Sequence, residues 1–272
     1  MRSVKIKEVI DALERFAPLP LQEEYDNAGL QVGLTEAEVS GALLCLDVTE
    51  RVVDEAITKG CNLIVAHHPL IFRKLSQVTD ANYVQRTVIK AIKNDIVIVA
   101  MHTNLDAAFG GVNFKIAERL GLRDVRFFGR EKVVTNPLTD KKVTGGDGVI
   151  GCFDTPLAAD DLILLLKKEF DVECVQANEL LRREIQTVAL CGGSGSFLLQ
   201  DAINAGADAF ITGEMGYHEF FGHEQEIQLC VIGHYQSEQY TTEVLSDVIE
   251  RDCPGVKCCI SEINTNPIVY FS

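Results

Sequence analysis

The sequence predicts an α/β protein of two similar, interlinked α/β domains, with helices packed on mostly parallel sheets. Three observations carry this. Short apolar runs alternate with segments of helical period. Strand–helix alternation of that kind builds layered parallel sheets. The alternation of the first half also recurs in the second at a fixed spacing. With 272 residues, 47% of them hydrophobic, the chain has material for two packed cores. The expected domains are 1–127 and 128–272.

The chain opens on an amphipathic helix, with Val4, Val9, Ile10, Leu13 and Phe16 on one face, ending before prolines. GALLCLDV (41–48) reads as a strand, and Thr49 caps a helix that runs to Gly60. CNLIVA (61–66) is a strand, 82–94 a helix, IVIVA (96–100) a strand, and 112–120 a helix closed by Gly121. The polar stretch at 129–147 reads as a linker or a β-hairpin. Then follow strand 148–153, helix 157–170, strand 187–191, helix 196–205, strands 207–211 and 229–232, helix 237–251, and terminal strands near 256–260 and 268–271.

Leu44–Cys45, Ala56–Ile57 and Gly60 recur as Leu190–Cys191, Ala202–Ile203 and Gly206, each 146 positions later (191 minus 45, 206 minus 60). His102-x-x-x-Asp106 recurs as His234-x-x-x-Glu238 at an offset of 132 (234 minus 102). A duplication is the reading preferred over chance likeness of two β-α-β units, and it predicts two domains facing each other about a pseudo-twofold axis.

Composition removes several classes of function. The formal net charge is −15, from 25 basic and 40 acidic residues. A nucleic-acid partner needs a cationic surface to displace counterions, so none is expected. No stretch approaches the ~20 apolar residues of a membrane span, and no signal-peptide core is visible at the N-terminus. The nine cysteines are odd in number and contain no Cys-x-x-Cys pair. Reduced thiols in a cytoplasmic protein are the expectation.

In open α/β sheets, ligands bind beyond the carboxyl ends of the strands. Here those ends carry His67–His68, His102 through Asp106, Thr212–Gly213–Glu214, and His234 through Glu238. Four of the six histidines therefore directly follow strands. An i,i+4 spacing puts His102 with Asp106, and His234 with Glu238, on one helix face. Imidazole and carboxylate together suit zinc, iron, manganese or nickel. His67, His68, Asp106, His234 and Glu238 exceed one closed tetrahedral site and suit two divalent ions, with a carboxylate, Glu238 foremost, bridging them. The repeat carries His67 to Gly213 and His68 to Glu214 (213 minus 67 is 146). Glu214 is then a candidate general base or an acceptor behind the ligands, and otherwise a helix cap.

His218 and His223, in TGEMGYHEFFGHEQE, read either as an exposed helix with local Glu–His pairs or as contacts to the site or its substrate. Gly192–Gly193–Ser194–Gly195 leads from a strand toward a helix, but lacks the spacing of a phosphate loop, and a tight turn is the preferred reading.

Taken in order, Tyr25–Asp26–Asn27–Ala28–Gly29–Leu30–Gln31–Val32–Gly33, Ala66–His67–His68–Pro69–Leu70–Ile71–Phe72, His102–Thr103–Asn104–Leu105–Asp106, Thr212–Gly213–Glu214, and Gly233–His234 with Ser237–Glu238 resemble the Nif-three-like dinuclear metal centre proteins, many of them named GTP cyclohydrolase I type 2 homologues. The resemblance implies two similar α/β domains, a toroidal homohexamer and a two-metal site at the domain interface. It places the ligands on the same five residues and His102 close to the site; Asn27 and His218 are further candidates for positions behind the ligands or against substrate. The sequence departs from many members in having Tyr25 where they carry Trp, and in leaving only a short connection at 126–150 where longer members insert a domain.

Two functions compete at this stage. One is a metal-dependent hydrolase acting on a nucleotide or a related phosphorylated or heterocyclic compound, with Glu238 and Glu214 as candidate catalytic carboxylates. The other is a non-catalytic metal-binding scaffold or metal-handling protein. Ligand identities alone fit both.

Overall fold

The computed structural model describes residues 3–271. Helix α1 (Ile6–Phe16) precedes strands β1 (Gly29–Val32) and β2 (Ala42–Cys45). Next come α2 (Glu50–Lys59), β3 (Leu63–Ala66), α3 (Tyr83–Lys93), β4 (Val97–Ala100), the short α4 (Thr103–Asp106) and α5 (Val112–Leu120). Two long strands, β5 (Arg123–Thr135) and β6 (Lys142–Leu157), are followed by α6 (Ala159–Glu169), β7 (Gln176–Ala177) and β8 (Ile185–Cys191). The chain finishes with α7 (Leu199–Asn204), β9 (Ala209–Thr212), β10 (Gln228–Val231), α8 (His234–Glu238), α9 (Thr241–Asp252) and β11 (Cys258–Ile260). No helix among the described residues is long and apolar enough to cross a membrane.

Local chemistry explains the main boundaries. The Thr49 hydroxyl accepts the Val52 N–H and starts α2, and Asn82 does the same for α3 through Gln85. The stretch read as a linker or hairpin is a hairpin, β5 and β6 lying side by side in one sheet. The helix expected over 237–251 is two helices, α8 and α9. Tyr240 lies at the break, with its hydroxyl donating to the Glu169 carbonyl and its ring 3.4 Å beneath the Arg119 guanidinium. No strand forms over 268–271. Pro267 immediately precedes it and has no N–H to give a ladder.

The chain divides into two compact units that are not consecutive in sequence. One holds residues 1–105, 135–142 and 241–272; the other holds 106–134 and 143–240. The first contains a five-stranded sheet ordered β1-β4-β3-β2-β11. Its core packs Leu43, Ile64 and Ile98 against Val52, Val53 and Val88 of α2 and α3. The second contains a six-stranded sheet ordered β5-β6-β8-β9-β10-β7, with Ala189, Phe210 and Leu229 packed among Leu199, Ala202 and Ile227.

The repeat is present in the register. Strands β2, β3 and β4 are parallel neighbours with β1 antiparallel on the edge, and β8, β9 and β10 are parallel neighbours with β7 antiparallel on theirs. Cys45 pairs with Ala66 as Cys191 pairs with Thr212, which keeps the offset of 146 on both strands (191 minus 45, 212 minus 66). On the next strand the offset is 131, since Ala66 pairs with Ala100 and Thr212 with Val231 (231 minus 100). The histidine motifs are therefore one residue out of step with their strands. His102 is equivalent to Gly233, and His234 to Thr103 (234 minus 103 is 131). Gly233 has φ +95°, a conformation that favours glycine, and this turn brings His234 onto the first position of α8.

Candidate metal centre

Three histidines of the first unit converge. His67 and His68 follow β3, and His102 follows β4, its parallel neighbour. Ring centroids are 4.9 Å apart for His67–His68 and 5.4 Å for each pair with His102. One ring nitrogen from each lies within 4.8 Å of the others, a group able to hold a metal ion.

Each ring is oriented through Nδ1. The Nδ1–H of His67 donates to the Met101 carbonyl at 2.8 Å, that of His68 to Asp47 Oδ1 at 2.8 Å, and that of His102 to Asp26 Oδ1 at 2.7 Å. All three acceptors only accept, so the proton of each neutral ring sits on Nδ1 and the Nε2 lone pair becomes the donor for a metal. Carboxylate or carbonyl contacts of this kind fix ring direction and raise ligand basicity.

The carboxylates are themselves held. Asp47 Oδ2 accepts the Thr265 hydroxyl at 2.6 Å. Burial raises the Asp47 carboxyl, and the hydrogen bonds from His68 and Thr265 outweigh it, leaving the group below the ordinary carboxylate range. The Asp26 side chain is 0% exposed and accepts from the Thr103 hydroxyl, the Thr103 N–H and the Asn27 N–H. Burial raises Asp26 too, but His102 and Thr103 hold its pKa down to about 2.

The second unit holds the other predicted residues. His234 opens α8 and Glu238 closes it, and His234 Nε2 lies 3.1 Å from Glu238 Oε2. Two donors at bonds of ~2.0–2.2 Å to one ion sit roughly 3.0–3.4 Å apart, so this spacing suits a shared cation. His234 Nδ1 contacts Glu214 Oε1 at 2.9 Å, and Ser194 Oγ donates to Glu214 Oε2 at 2.5 Å. Glu214 is thus the orienting carboxylate of His234, as Asp47 is of His68, and caps no helix here. Asp106 and Glu238 both bear on Cys191, whose thiol is pushed well up by burial and then by the charges of Asp106, Glu238 and Asp147.

The Gly192–Gly195 loop is a support for α8. The N–H groups of Gly192, Gly193 and Gly195 donate to Asn113 Oδ1, Ser237 Oγ and Thr212 Oγ1, at 2.9, 3.0 and 3.0 Å. Gly193 has φ +57°, and a Cβ there would lie 2.4 Å from Glu238 Oε1. A Cβ on Gly213 would lie 2.7 Å from both the Gly193 carbonyl and Ser237 Oγ, and 2.9 Å from the His234 Cα. The second copy therefore has glycine where the first has His67 because α8 packs against that strand end.

His218, expected behind the ligands or against substrate, lies on an exposed 3₁₀ turn over Tyr217–Phe220, with ring contacts to Tyr217 at 5.2 Å and Phe221 at 6.2 Å. His223 makes the local pair foreseen for it, with Glu226 at 2.8 Å. Asn27 reaches the Ile71 carbonyl. Sequence reasoning missed Asp26 and Asp47. Asp47 stands two residues past β2, where the strand-end rule already pointed, and Asp26 sits inside the Tyr25–Gly33 motif.

The sequence profile of Duf34/NIF3 (NGG1p interacting factor 3) matches residues 4–267. The chain belongs to the Duf34/NIF3 family. Within this family, a Clostridium perfringens protein named GTP cyclohydrolase 1 type 2 homolog is 34% identical over 271 residues, covering 98% of this chain and 100% of its own. A Clostridium acetobutylicum protein of the same name is 32% identical over 250 residues, covering 91% and 90%. Among solved structures, a Staphylococcus aureus hypothetical protein superposes with a TM-score of 0.88 at 28% identity, covering 99% of this chain and 100% of that one. The Duf34/NIF3 fold thus extends over both units of the chain.

Proposed function

We propose that this Duf34/NIF3 protein is a divalent-metal-dependent hydrolase acting on a nucleotide or a related phosphorylated or heterocyclic compound. His67, His68, Asp106, His234 and Glu238 would hold two ions. The observation that carries the reading is the locking of His67 and His68 through Nδ1, with His102 held the same way beside them, since a structural histidine needs no such uniform presentation of Nε2.

Divalent ions held by these residues would supply Lewis acidity and would lower the pKa of a coordinated water toward ~7. The protein's own part is to aim neutral imidazoles and to balance positive charge. Glu238 and Asp106 contribute that negative charge. Glu214 has its two oxygens engaged by His234 and Ser194 and serves as a positioning residue. The curated relatives' name favours opening of the GTP imidazole ring.

The test is elemental analysis of the purified protein and of His68→Ala, with nucleotide and phosphoester turnover assayed with and without chelator. The reading expects about two ions per chain, fewer in the variant, and turnover that chelator removes and metal restores. Metal content unchanged in His68→Ala overturns the site, and metal without turnover on any substrate favours the scaffold alternative. The assembly proposed with this reading is a homohexamer. Light scattering at the monomer mass of 30.0 kDa would refute it.

A further inference from the structure

Beside the histidine cluster lie two aromatic rings that the metal reading does not use. Tyr25 is 68% exposed and Phe72 is 45% exposed. Their centroids are 6.4 Å apart, and Phe72 stands edge-on to His102 at 6.2 Å. Adjoining aromatic surface open to water offers a planar ligand apolar area to cover.

The loop under Phe72 is built to hold it. The preceding residue, Ile71, is gripped at both ends of its peptide unit. Its carbonyl accepts from Asn27 Nδ2 at 2.6 Å and its N–H donates to Gln31 Oε1 at 3.1 Å. Gln31 Nε2 in turn donates to the Asn27 carbonyl at 2.6 Å. Within the Tyr25–Gly33 motif, Asp26 aims His102, Asn27 and Gln31 fix the Phe72 loop, and Tyr25 adds the second ring. The two residues after Phe72, Arg73 and Lys74, are exposed cations with no carboxylate partner among the described residues, in a chain whose net charge is −15.

We propose that Tyr25 and Phe72 form a stacking platform for the planar heteroaromatic ring of a phosphorylated compound such as a purine nucleotide. The two side chains meet edge to face at 63°, so the ring stacks on the Phe72 face beside the histidines with Tyr25 closing its side, and Arg73 and Lys74 attract the phosphates. Stacking on aromatic side chains tolerates any base, because every base presents a π face. The edges and substituents of the ring then decide which compound is turned over. This deepens the hydrolase reading and rests on it for the chemistry, but not for the binding.

The chain contains no tryptophan, so Tyr25→Trp places one fluorophore on the platform. In the metal-loaded protein, guanosine and GTP should quench its emission and inorganic triphosphate should not. By calorimetry, Phe72→Leu, which keeps apolar bulk and removes the ring, should weaken guanosine binding roughly tenfold with metal content unchanged. Quenching by triphosphate but not guanosine, or wild-type guanosine affinity in Phe72→Leu, overturns the platform. Guanosine binding that is weakened by Phe72→Leu, in a metal-loaded protein that turns over no substrate, supports the platform while the hydrolase reading falls. Metal-loaded, active protein indifferent to both substitutions does the reverse.

Discussion

Replacing Asp47 separates the charge of an orienting carboxylate from its geometry. Asp47 Oδ1 accepts the His68 Nδ1–H at 2.8 Å, and Oδ2 accepts the Thr265 hydroxyl at 2.6 Å. In Asp47→Asn the amide oxygen can still take the His68 proton, and the Thr265 hydroxyl can turn to accept from the amide. Ring direction and tautomer survive, and only the negative charge that makes Nε2 more basic is lost. Asp47→Ala removes the acceptor as well, so the His68 proton turns to water and the ring is freed. Loss of a contact behind a metal ligand lowers affinity by about 10–100-fold. The Asn variant is expected near the lower end, about 1.4 kcal/mol, and the Ala variant near the upper, about 2.8 kcal/mol. Competition between the protein and a chromophoric chelator for zinc measures both, with circular dichroism as the control for folding. If both folded variants hold zinc as tightly as wild type, the reasoning from Nδ1 to Nε2 is wrong.

Gly213→Ala should destabilise the second unit by about 1–3 kcal/mol, as overpacking does, because its Cβ would crowd the Gly193 carbonyl, Ser237 and the His234 backbone at 2.7–2.9 Å; denaturant unfolding at wild-type stability would contradict this. Glu238→Gln keeps the shape of α8 while removing a charge that balances the cations, so metal content and turnover should fall together in a folded protein, and a fully active variant rules out the proposed site. A thiol reagent on the native protein should label exposed Cys174 and spare Cys45, Cys191 and Cys230, which are buried and whose thiols burial pushes up, that of Cys230 to about 12. Peptide mapping that finds Cys230 labelled as fast as Cys174 would refute the packing around β10.

The sequence by itself determined the α/β class, the strand ends and the residue types gathered there. Runs such as Leu63–Ala66 and Val97–Ala100 are short, apolar and bounded by caps that local chemistry dictates, so they are legible without a partner. The repeat was legible for the same reason, because Cys45 and Cys191 end equivalent strands. Only the tertiary structure decided that His234 answers to Thr103 and not to His102, since one added glycine beyond β10 shifts the histidine without disturbing the strand. Strand β1 was missed because Gly29–Leu30–Gln31–Val32 is too short and polar to announce itself and depends on pairing with β4. The helix expected over 237–251 is interrupted at Tyr240, which contacts Arg119 and Glu169, and no helix signal encodes those contacts. The same holds for the chemistry of the site. His102 reads in sequence as any strand-end histidine. Its tautomer is set by Asp26, 76 positions away, and that of His68 by Asp47, itself held by Thr265 218 positions further on. Which ring nitrogen carries the proton depends on which acceptor lies next to it, and folding alone brings those acceptors there.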